Sequence, residues 1–472
     1  MLKIGTSGFR GMDGEEITEV SCRKIALATA SIIERNALKK ELFLGYDLRE
    51  NSKKYAIEMA KVLQKHGVCC HLLPYAVPSG FVSYICKEKL LDLSIIVTAS
   101  HNPYSYNGVK IFSKNGQDLT EDLEKQYNEE MSNDDNVTDC DGEVVYYAGQ
   151  DDLEDEYVAD ICSMLTKMHG NISVAYDTMH GSSDRLARKL ADRLDINCHV
   201  IDSMSIAGKM FSAPIPSKEN TYLHKDYVIE NNLDFSFATD GDGDRMAVIT
   251  RDGVYHDAGE VAPFLYYFAV NEKKLKGGFV GNYSYPVLGR LTCEKLDVPY
   301  HESKIGFKHI GKLMVDNNAL MGSENSSLSY APISYFKDGL VAFALLCEAV
   351  SFYGKALEVL LQEFKEKMGY NFNYLERSFH FEMISSGDFR SVLSGLEMTN
   401  FRPIIMGEKC HKIDSLDGYK YYFPSTTLLI RQSGTEAVIR FVVESNFDAK
   451  EVLKSAKNEF THYAKSLLKL TD

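Results

Sequence analysis

The sequence predicts an α/β fold with mixed, largely parallel sheets. Short apolar runs that suit buried strands, such as residues 93–97 and 235–238, alternate with stretches of helical periodicity over most of the chain. This alternation is typical of layered α/β domains. Sheets of this kind hold ligands beyond the carboxyl ends of their strands. We therefore look for function in the polar motifs that directly follow an apolar run.

The predicted elements follow the chain in a regular order. Strands are expected at residues 41–47, 93–97, 172–176, 198–201 and 235–238, and helices at residues 55–66, 157–167 and 183–193. The alternation continues through residues 261–272, 279–283, 287–296, 307–317 and 340–352. After residue 370 the pattern changes to segments 374–383, 388–398, 426–431 and 438–444, followed by a helix over 449–470. This last part indicates a smaller α+β domain.

The length of 472 residues predicts three or four domains, at about 150 residues each. An acidic stretch at residues 132–142 is expected to form a surface loop, and the polar segment 149–156 is expected to lead out of the first domain. Further boundaries are expected after the Asp252-Gly253 turn and near Gly369. The predicted domains are therefore residues 1–150, 151–253, 254–369 and 370–472.

Composition narrows the class of protein. The net charge of −15, from 52 basic and 67 acidic residues, disfavours a nucleic-acid surface, which is normally basic. No apolar run is long enough to span a bilayer, and the N-terminus lacks a secretory segment. The ten cysteines are scattered and form no CxxC pair. We expect a cytoplasmic protein with reduced thiols and with no nucleic-acid or membrane partner.

Asp240-Gly241-Asp242-Gly243-Asp244-Arg245 is the strongest local motif, and it follows the apolar run 235–238. Alternating carboxylates separated by glycines allow three oxygens to converge on one hard cation. An EF-hand loop is excluded, because its sixth and twelfth positions would be Arg245 and Arg251. The motif predicts a metal site, and Mg²⁺ suits both its oxygen ligands and phosphoryl chemistry.

Two further motifs carry hydroxyl and cationic groups. Ser100 and His101 follow the strand predicted at 93–97, so that a nucleophile at the strand end is exposed beyond the sheet. Residues 431–436 follow another predicted strand, and with Arg440 they supply arginines and hydroxyls that could enclose a phosphate. Each motif alone is also compatible with an ordinary turn.

Three weaker segments complete the set. Residues 5–11 form a glycine-rich loop in which Arg10 could meet a phosphate. Residues 322–327 combine a carboxylate, an amide and hydroxyls, the groups that recognise sugar hydroxyls. Lys304 and Lys308 place cations near a possible helix start. Taken singly, each of these could equally be a polar surface feature.

In this order the motifs resemble those of the α-D-phosphohexomutase family. Its phosphoserine loop resembles residues 98–103 and continues through 106–110, and its metal loop matches residues 240–245. Its sugar and phosphate loops resemble residues 322–326 and 431–440. The resemblance implies three similar α/β domains and an α+β domain around a central cleft. It also implies an isomerase that moves phosphate between the 1- and 6-hydroxyls of a hexose, through a phosphoserine enzyme and a hexose 1,6-bisphosphate that also acts as activator.

The resemblance assigns roles to individual residues. Those implied to be catalytic are Ser100, His101, Lys110, Arg10 and Arg245. Those implied to bind substrate are Lys304, Lys308, Glu324, Ser326, Arg431, Ser433, Gly434, Thr435 and Arg440. The implied Mg²⁺ ligands are Ser100, through its phosphate, and Asp240, Asp242 and Asp244. Either Lys110 or His101 could take the substrate proton, and Lys110 would need a lowered pKa to do so.

The identity of the sugar depends on weaker signals. Residues 5–8 and Asn325 favour glucose or mannose phosphate over glucosamine phosphate. Gln432, Ala437 and Ser327 depart from the family's usual residues, and these departures bear on sugar preference more than on catalysis. The alternatives are a phosphoglucosamine mutase, a metal-dependent sugar-phosphate phosphatase with water as acceptor, and a non-enzymatic sugar-phosphate sensor.

Overall fold

A computed structural model describes residues 3–5, 8–133, 142–166, 168, 172–202, 213–380, 398, 400–432 and 438–468. The chain divides into two compact units. The first comprises Met1–Asn282 and Thr292–Phe364, and the second comprises Tyr283–Leu291 and Lys365–Asp472. The four domain boundaries inferred from the sequence remain predictions.

Strands and helices alternate through the first 370 residues. The strands are β1 Phe9–Met12, β2 Glu41–Tyr46, β3 Cys69–Leu72, β4 Leu93–Val97, β5 Tyr106–Ser113, β6 Gln117–Asp118, β7 Ser173–Asp177, β8 Asn197–Ile201, β9 Phe235–Thr239, β10 Met246–Thr250, β11 Tyr255–Asp257, β12 Phe279–Asn282, β13 Tyr300–Ser303, β14 Met321–Glu324 and β15 Ser327–Tyr330. The helices are α1 Glu19–Arg35, α2 Ser52–Lys65, α3 Ser79–Glu88, α4 Glu121–Met131, α5 Gln150–Ser163, α6 Asp184–Leu194, α7 His224–Glu230, α8 Ala258–Asn271, α9 Val287–Leu296, α10 Phe307–Asn317, α11 Gly339–Tyr353 and α12 Leu357–Met368.

The first unit contains three mixed sheets with a common plan. Their strand orders are β1-β5-β4-β2-β3, with β6 beside β5, then β11-β10-β9-β7-β8, and β13-β12-β14-β15. In each sheet a group of parallel strands ends in a strand that pairs antiparallel with its successor along the chain. These three hairpins are β4–β5, β9–β10 and β14–β15. The predicted α/β class with mixed sheets is confirmed, although antiparallel pairings are as frequent as parallel ones in these three sheets.

The second unit is built on an antiparallel sheet. Its elements are β16 Asn373–Phe379, β17 Ile404–Ile405, β18 Glu408–Lys409, β19 Lys412–Asp414, β20 Tyr419–Tyr422, β21 Thr426–Gln432, β22 Ile439–Ser445 and α13 Ala449–Leu468. The main sheet has the order β16-β22-β21-β20-β19, with every neighbouring pair antiparallel. The apolar face of α13, including Val452 and Phe460, packs in the same core as Leu428 and Phe441 of this sheet. The predicted segment 388–398 lies, except for Met398, outside the described residues.

Most predicted elements agree with the structure to within a few residues, but one helix begins earlier than predicted. The helix expected at residues 157–167 is α5, Gln150–Ser163, and so includes most of the polar segment 149–156. Leu153 and Tyr157 are buried on one side of this helix. The many carboxylates of the segment conceal that apolar face, because exposed positions outnumber buried ones in the first turns.

Helix α11 shows how local sequence sets an element. Asp338 precedes it and accepts hydrogen bonds from the amides of Leu340 and Val341, at 3.0 and 3.2 Å, which caps its amino end. Gly354 ends it in the left-handed region.

In the described part of the chain no single helix is long and apolar enough to span a membrane; α11 and α12 meet that criterion only as a pair, bent by 86°.

A buried carboxylate joins the start of α9 to the sheet of the second unit. Glu444 of β22 accepts the amide hydrogen of Val287 with both oxygens, each at 3.0 Å. Burial raises the pKa of Glu444 to about 7, although these hydrogen bonds and the charge of Lys420 act in the opposite direction. The folded pKa therefore lies above the ordinary glutamate value, so the folded state favours the protonated acid.

We predict that Glu444 lowers the stability of the protein as the pH rises from about 4.5 to about 7. In Glu444→Gln the neutral side chain removes this effect, which can reach ~1–3 kcal/mol. Calorimetry of the whole chain should show similar melting temperatures for wild type and variant at pH 5, and a higher value for the variant at pH 8. Glu459→Gln, an exposed change on α13, serves as control. An equal difference at both pH values would contradict the prediction.

Candidate active site

Ser100 lies in the β4–β5 connection, at the carboxyl end of a parallel strand. It is almost fully buried and has a φ of +54°, in the left-handed region that residues other than glycine rarely adopt. Its hydroxyl donates to Asp240 Oδ2 at 2.9 Å, and its Oγ lies 3.4 Å from His101 Nδ1. The structure thus places the hydroxyl of Ser100 against the carboxylate of Asp240, the first residue of the aspartate motif.

A buried arginine holds this connection in place. The guanidinium of Arg49 donates to four carbonyl oxygens at 2.7–2.9 Å, those of Ser100, Asn102, Pro103 and Tyr106. Arg49 also forms an ion pair with Asp47 at 3.2 Å. Such a set of charge-assisted bonds satisfies the turn's carbonyls and can compensate for the unfavourable backbone at Ser100.

Asp47 also stabilises the β4–β5 connection. Its carboxylate accepts hydrogen bonds from Thr98 Oγ1 and Ser52 Oγ, both at 2.6 Å. Thr98 Oγ1 then accepts the amide hydrogen of Ser100 at 2.8 Å. The position of Ser100 is therefore set by a continuous chain of buried hydrogen bonds that begins at the end of β2.

The β9–β10 connection carries the three aspartates. Asp240 Oδ1 accepts the amide hydrogens of Asp244 and Arg245, at 2.9 and 3.0 Å, so the first carboxylate shapes its own loop. Gly241 allows this loop to approach the serine, because a Cβ there would lie 2.9 Å from the carbonyl oxygen of Ser100. The two connections are thus in direct contact.

The three carboxylates converge within a small, buried volume. One oxygen from each of Asp240, Asp242 and Asp244 lies within 4.8 Å of the others. Burial and the two neighbouring carboxylates raise the pKa of Asp240 to about 7. Burial acts in the same direction on Asp242, but the Lys110 ammonium and a hydrogen bond from Ser79 hold the pKa of Asp242 below its usual range. The site concentrates negative charge that needs cationic partners.

Lys110 of β5 supplies one of these partners. Its ammonium forms ion pairs with Asp242 and Asp244, each at 2.5 Å, and the side chain is almost completely buried. Burial alone would lower the pKa of Lys110, but the two carboxylates raise it above its ordinary value. A proton acceptor at this position would need a lowered pKa, whereas the geometry raises the pKa of Lys110.

His101 is neutral in this arrangement. Burial, together with the charges of Arg245 and Arg10, lowers the pKa of His101 far below its usual value. Arg245 lies 3.2 Å from His101 Nε2, and a guanidinium can only donate, so Nε2 is the acceptor. The single ring proton therefore resides on Nδ1, which faces Ser100 Oγ. His101 cannot use this nitrogen to take the serine proton, as the histidine of a Ser-His-Asp triad does.

Two arginines complete the cationic side of the site. Arg10 of β1 donates to Asn102 Oδ1 at 2.6 Å, and burial lowers its pKa. The Nε atoms of Arg10 and Arg245 are buried and have no partner among the described residues. The same holds for the Oδ1 atoms of Asp242 and Asp244. The unpaired arginine donors suit an anionic ligand, and the unpaired aspartate oxygens suit a cationic one.

The β14–β15 connection brings the predicted sugar-recognition residues to the same unit. Glu324 Oε1 lies 3.4 Å from Ser326 Oγ and 3.2 Å from Ser327 Oγ. The carbonyl of Ser326 accepts the amide hydrogen of Met246, the first residue of β10, at 2.8 Å. Lys337 lies 3.5 Å from Asp244 and 3.9 Å from Glu324, and so connects this hairpin to the aspartates.

Lys304 and Lys308 lie near the start of α10 in the first unit. They border a cavity of about 480 Å³ at the start of α10, opposite residues 117–121. Lys308 forms an ion pair with Glu124 at 2.7 Å, whereas Lys304 is exposed. Asp118 of β6 lines the cavity with them.

Arg431 and Arg440 lie directly opposite each other on β21 and β22 of the second unit. Arg431 is 4.0 Å from Asp417, and Arg440 is 3.2 Å from Glu376. Burial and the charge of Arg440 lower the pKa of Arg431, and both Nε atoms are buried without a partner in the described part of the chain. Like charges in this register repel each other, so the pair favours an anion between them.

The predicted phosphate-binding motif continues beyond Gln432. Its residues Ser433, Gly434 and Thr435 lie outside the described residues. Their neighbours on both sides belong to the β21–β22 hairpin. The serine, aspartate and sugar motifs thus fall at the connection of an antiparallel hairpin, and Arg431 and Arg440 lie on the two strands of another antiparallel pair.

Sequence reasoning gave no role to several polar residues around the serine and aspartates. They are the hydrogen-bond donor Ser79, the buried Lys337 and Asp118. Residues 45–49 also resemble a motif of the family, but the contact of Arg49 with the serine connection was not predicted. Lys337 had one usable signal, since it directly precedes the helix-capping Asp338 after the sugar motif. Ser79 and Asp118 belong to segments with no distinctive spacing, and only the fold brings them near the site.

We predict that Arg49→Lys loosens the β4–β5 connection, because one ammonium cannot replace the guanidinium at four carbonyls and at Asp47. The free energy of unfolding should fall by ~2–4 kcal/mol. Amide hydrogen exchange should quicken in residues 98–108 more than elsewhere. Arg188→Lys, at an exposed pair with Asp184, is the matched control and should change stability by less than ~0.5 kcal/mol. Unchanged exchange in residues 98–108 would refute the role given to Arg49.

Comparison with known proteins agrees with this geometry. Models of phosphoglucomutase/phosphomannomutase alpha/beta/alpha domains I, II and III match residues 1–138, 155–253 and 261–368. The chain is 26% identical to a phosphoglucosamine mutase of Shewanella sediminis over 467 residues, covering 96% of this chain and 97% of the relative. It is 24% identical to a probable phosphoglucosamine mutase of Methanobrevibacter smithii, covering 95% of each chain.

The fold is shared with a solved structure. A putative phosphomannomutase from Thermus thermophilus superposes with a TM-score of 0.82 at 21% identity, covering 97% of this chain and 98% of that one. The three domain matches together span most of the sequence and include the serine, aspartate and sugar motifs. The chain belongs to the phosphoglucomutase/phosphomannomutase family of phosphohexomutases, and it is an enzyme of the isomerase class.

Proposed function

We propose that this enzyme is a phosphoglucosamine mutase, which interconverts glucosamine 1-phosphate and glucosamine 6-phosphate. The observation that carries the proposed chemistry is the buried Ser100 hydroxyl, 2.9 Å from Asp240 within the aspartate cluster. The proposed sugar rests on the relatives that are named phosphoglucosamine mutase and match nearly the whole chain. These relatives favour the glucosamine alternative over the glucose or mannose preference expected from residues 5–8 and Asn325.

In the proposed reaction Ser100 carries the phosphate. The bond between Ser100 Oγ and phosphorus breaks and a bond from the free sugar hydroxyl to phosphorus forms. The proton of that hydroxyl is transferred to Ser100 Oγ, which becomes a hydroxyl again. The product of this half is glucosamine 1,6-bisphosphate. In the second half the other phosphate passes to Ser100, and the isomeric monophosphate is released. A bisphosphate of this kind would also serve as activator, because it can phosphorylate an unmodified Ser100.

The aspartate cluster fits a magnesium ion. It offers three carboxylates within 4.8 Å, and two of its buried oxygens, on Asp242 and Asp244, are unpartnered among the described residues. Asp240, Asp242 and Asp244 would hold the ion together with the phosphate of Ser100. Bound there, Mg²⁺ would supply charge stabilisation to the phosphoryl group in transfer.

The cations around Ser100 have complementary roles in this proposal. Arg10 and Arg245, whose buried Nε atoms have no partner among the described residues, would bind the phosphate oxygens through charge-assisted hydrogen bonds. Lys110 and Lys337 neutralise the aspartates. An ammonium whose pKa is raised does not accept a proton, so we assign Lys110 to charge balance and not to base catalysis.

His101 is suited to stabilise the serine oxygen as a leaving group. Its neutral imidazole carries the proton on Nδ1, which faces Ser100 Oγ at 3.4 Å. A hydrogen bond from this N–H would favour negative charge on Oγ as the phosphorus–oxygen bond breaks. Arg245, which holds Nε2, fixes both the orientation and the tautomer of the ring.

The substrate's other groups would be held by the remaining motifs. Glu324 and Ser326 would bind sugar hydroxyls, and Lys304 and Lys308 would attract the anionic substrate. Arg431 and Arg440, with Ser433, Gly434 and Thr435, would bind the phosphate that is not in transfer. Separate binding of this phosphate distinguishes a mutase from a phosphatase, because it retains the bisphosphate for the second half of the reaction.

The proposed sugar preference is tested by kinetics on glucosamine, glucose and mannose 1-phosphates, with Mg²⁺ and the matching bisphosphate present. We expect kcat/KM to be highest for glucosamine 1-phosphate by about tenfold or more, the scale that one well-placed polar contact provides. A higher value for glucose or mannose would restore the preference expected from the sequence. Release of inorganic phosphate alone would contradict the mutase proposal itself.

We predict that Ser100→Ala abolishes interconversion, with a loss of about 10³-fold or more, because the phosphate carrier is removed. Intact-mass measurement after incubation with the bisphosphate should show one added phosphoryl group in wild type and none in the variant. Ser105→Ala removes an exposed serine from the same connection and should leave both readouts unchanged. Full activity in Ser100→Ala would refute the assignment of the nucleophile.

A further inference from the structure

The cavity beside α10 carries charges of both signs. Its volume of about 480 Å³ is within the range of small-molecule sites. Lys304, Lys308 and His309 line it at the amino end of α10, and Asp118 lines it from the end of the β5–β6 hairpin. Cationic groups on one wall and a carboxylate on the other complement a ligand that is itself both anionic and cationic.

The Asp118 carboxylate has no partner in the described part of the chain. The residue is partly buried, and no hydrogen bond or ion pair joins its side chain to any residue that the structure describes. Of the other carboxylates near the cavity, Glu124 pairs with Lys308 and Asp316 pairs with Lys312, whereas Glu121 is exposed to solvent. Asp118 is therefore available to a ligand at a place where burial strengthens a charged contact.

Asp118 is also electrostatically connected to the active site. Burial raises the pKa of Asp118 to about 6, which leaves the carboxylate ionised at neutral pH. The charges of Lys337 and Lys110 favour its ionised form, and those of Asp244 and Glu324 oppose it. Asp244 belongs to the aspartate cluster and Glu324 to the β14–β15 hairpin, and Lys110 and Lys337 both pair with Asp244.

The proposed substrate has one group that glucose and mannose phosphates lack. The amine on C2 of glucosamine phosphate is largely protonated near neutral pH, whereas the other two sugars present a neutral hydroxyl there. A carboxylate on the protein favours an ammonium over a hydroxyl of similar size, because its hydrogen bond to the ammonium is charge-assisted. Glu324 is partly committed, because its Oε1 lies near two serine hydroxyls and Lys337.

We propose that Asp118 is a specificity-determining residue, whose carboxylate accepts a charge-assisted hydrogen bond from the C2 ammonium of the amino sugar. This inference rests on the proposed function, since it explains a preference for glucosamine phosphate. It assigns to the β5–β6 hairpin a role in choosing the sugar, separate from the phosphate chemistry at Ser100.

Asp118→Asn tests this role, because the amide keeps the shape of the side chain and removes its charge. The ratio of kcat/KM for glucosamine 1-phosphate to that for glucose 1-phosphate should fall about 10- to 100-fold, the range of a hydrogen bond to a charged group. Binding of glucosamine 6-phosphate to the Ser100→Ala protein should weaken to the same extent when Asp118→Asn is added, without turnover. Asp118→Ser provides a second variant should the amide fold poorly.

Asp316→Asn is the matched control. It removes a carboxylate from the same cavity wall, but one that is exposed and paired with Lys312, and it should leave the ratio unchanged. A wild-type preference for glucosamine that survives in Asp118→Asn would overturn the role of Asp118 and leave the proposed function intact. A wild type without that preference would overturn the proposed sugar and this inference together.

Discussion

Three buried carboxylates that converge within 4.8 Å impose the constraint on which the rest of the first unit depends. Unbalanced charges of this kind cannot stay ionised in a protein interior, so the fold must bring cations to them. Lys110 of β5 and Lys337, which lies between β15 and α11, meet this need from two different parts of the fold. Ser100 and Lys337 contact this cluster directly, and the amide of Gly339 at the start of α11 donates to the carbonyl of Gly243 in the same loop.

The repeated hairpin explains why such distant segments can meet. In each sheet of the first unit a parallel strand is followed by an antiparallel one, and the connection between them lies at the carboxyl edge of the sheet. Ser100, Asp240 and Glu324 each occupy this position. Arg431 and Arg440 lie opposite each other on β21 and β22, an antiparallel pair of the second unit. The same arrangement of strands therefore recurs at the serine, at the aspartates and at Glu324.

The sequence was sufficient for the parts of the site that reside in short continuous motifs. The aspartate loop shapes itself through Asp240 Oδ1, and the apolar strand before Ser100 is unmistakable, so both could be predicted locally. Lys337 and Asp118 could not, because the charged residues around them come from distant parts of the chain and no periodicity marks them. The role of Arg49 could not be predicted either, because the Ser100 carbonyl that it binds is 51 residues away. The helical start of α5 was hidden by its acidic composition. The neutral state of His101 also depends on Arg245, which is 144 residues distant.

The most direct test of the account follows the phosphate itself. Glucosamine 1,6-bisphosphate labelled in its phosphates is mixed with the Mg²⁺-loaded enzyme, the reaction is quenched rapidly, and the labelled peptide is identified. The account predicts that the label appears on Ser100 and is transferred to unlabelled glucosamine 6-phosphate added afterwards. Label on another residue, or label lost from the protein only as inorganic phosphate, would contradict the claim that Ser100 carries phosphate between two positions of one sugar.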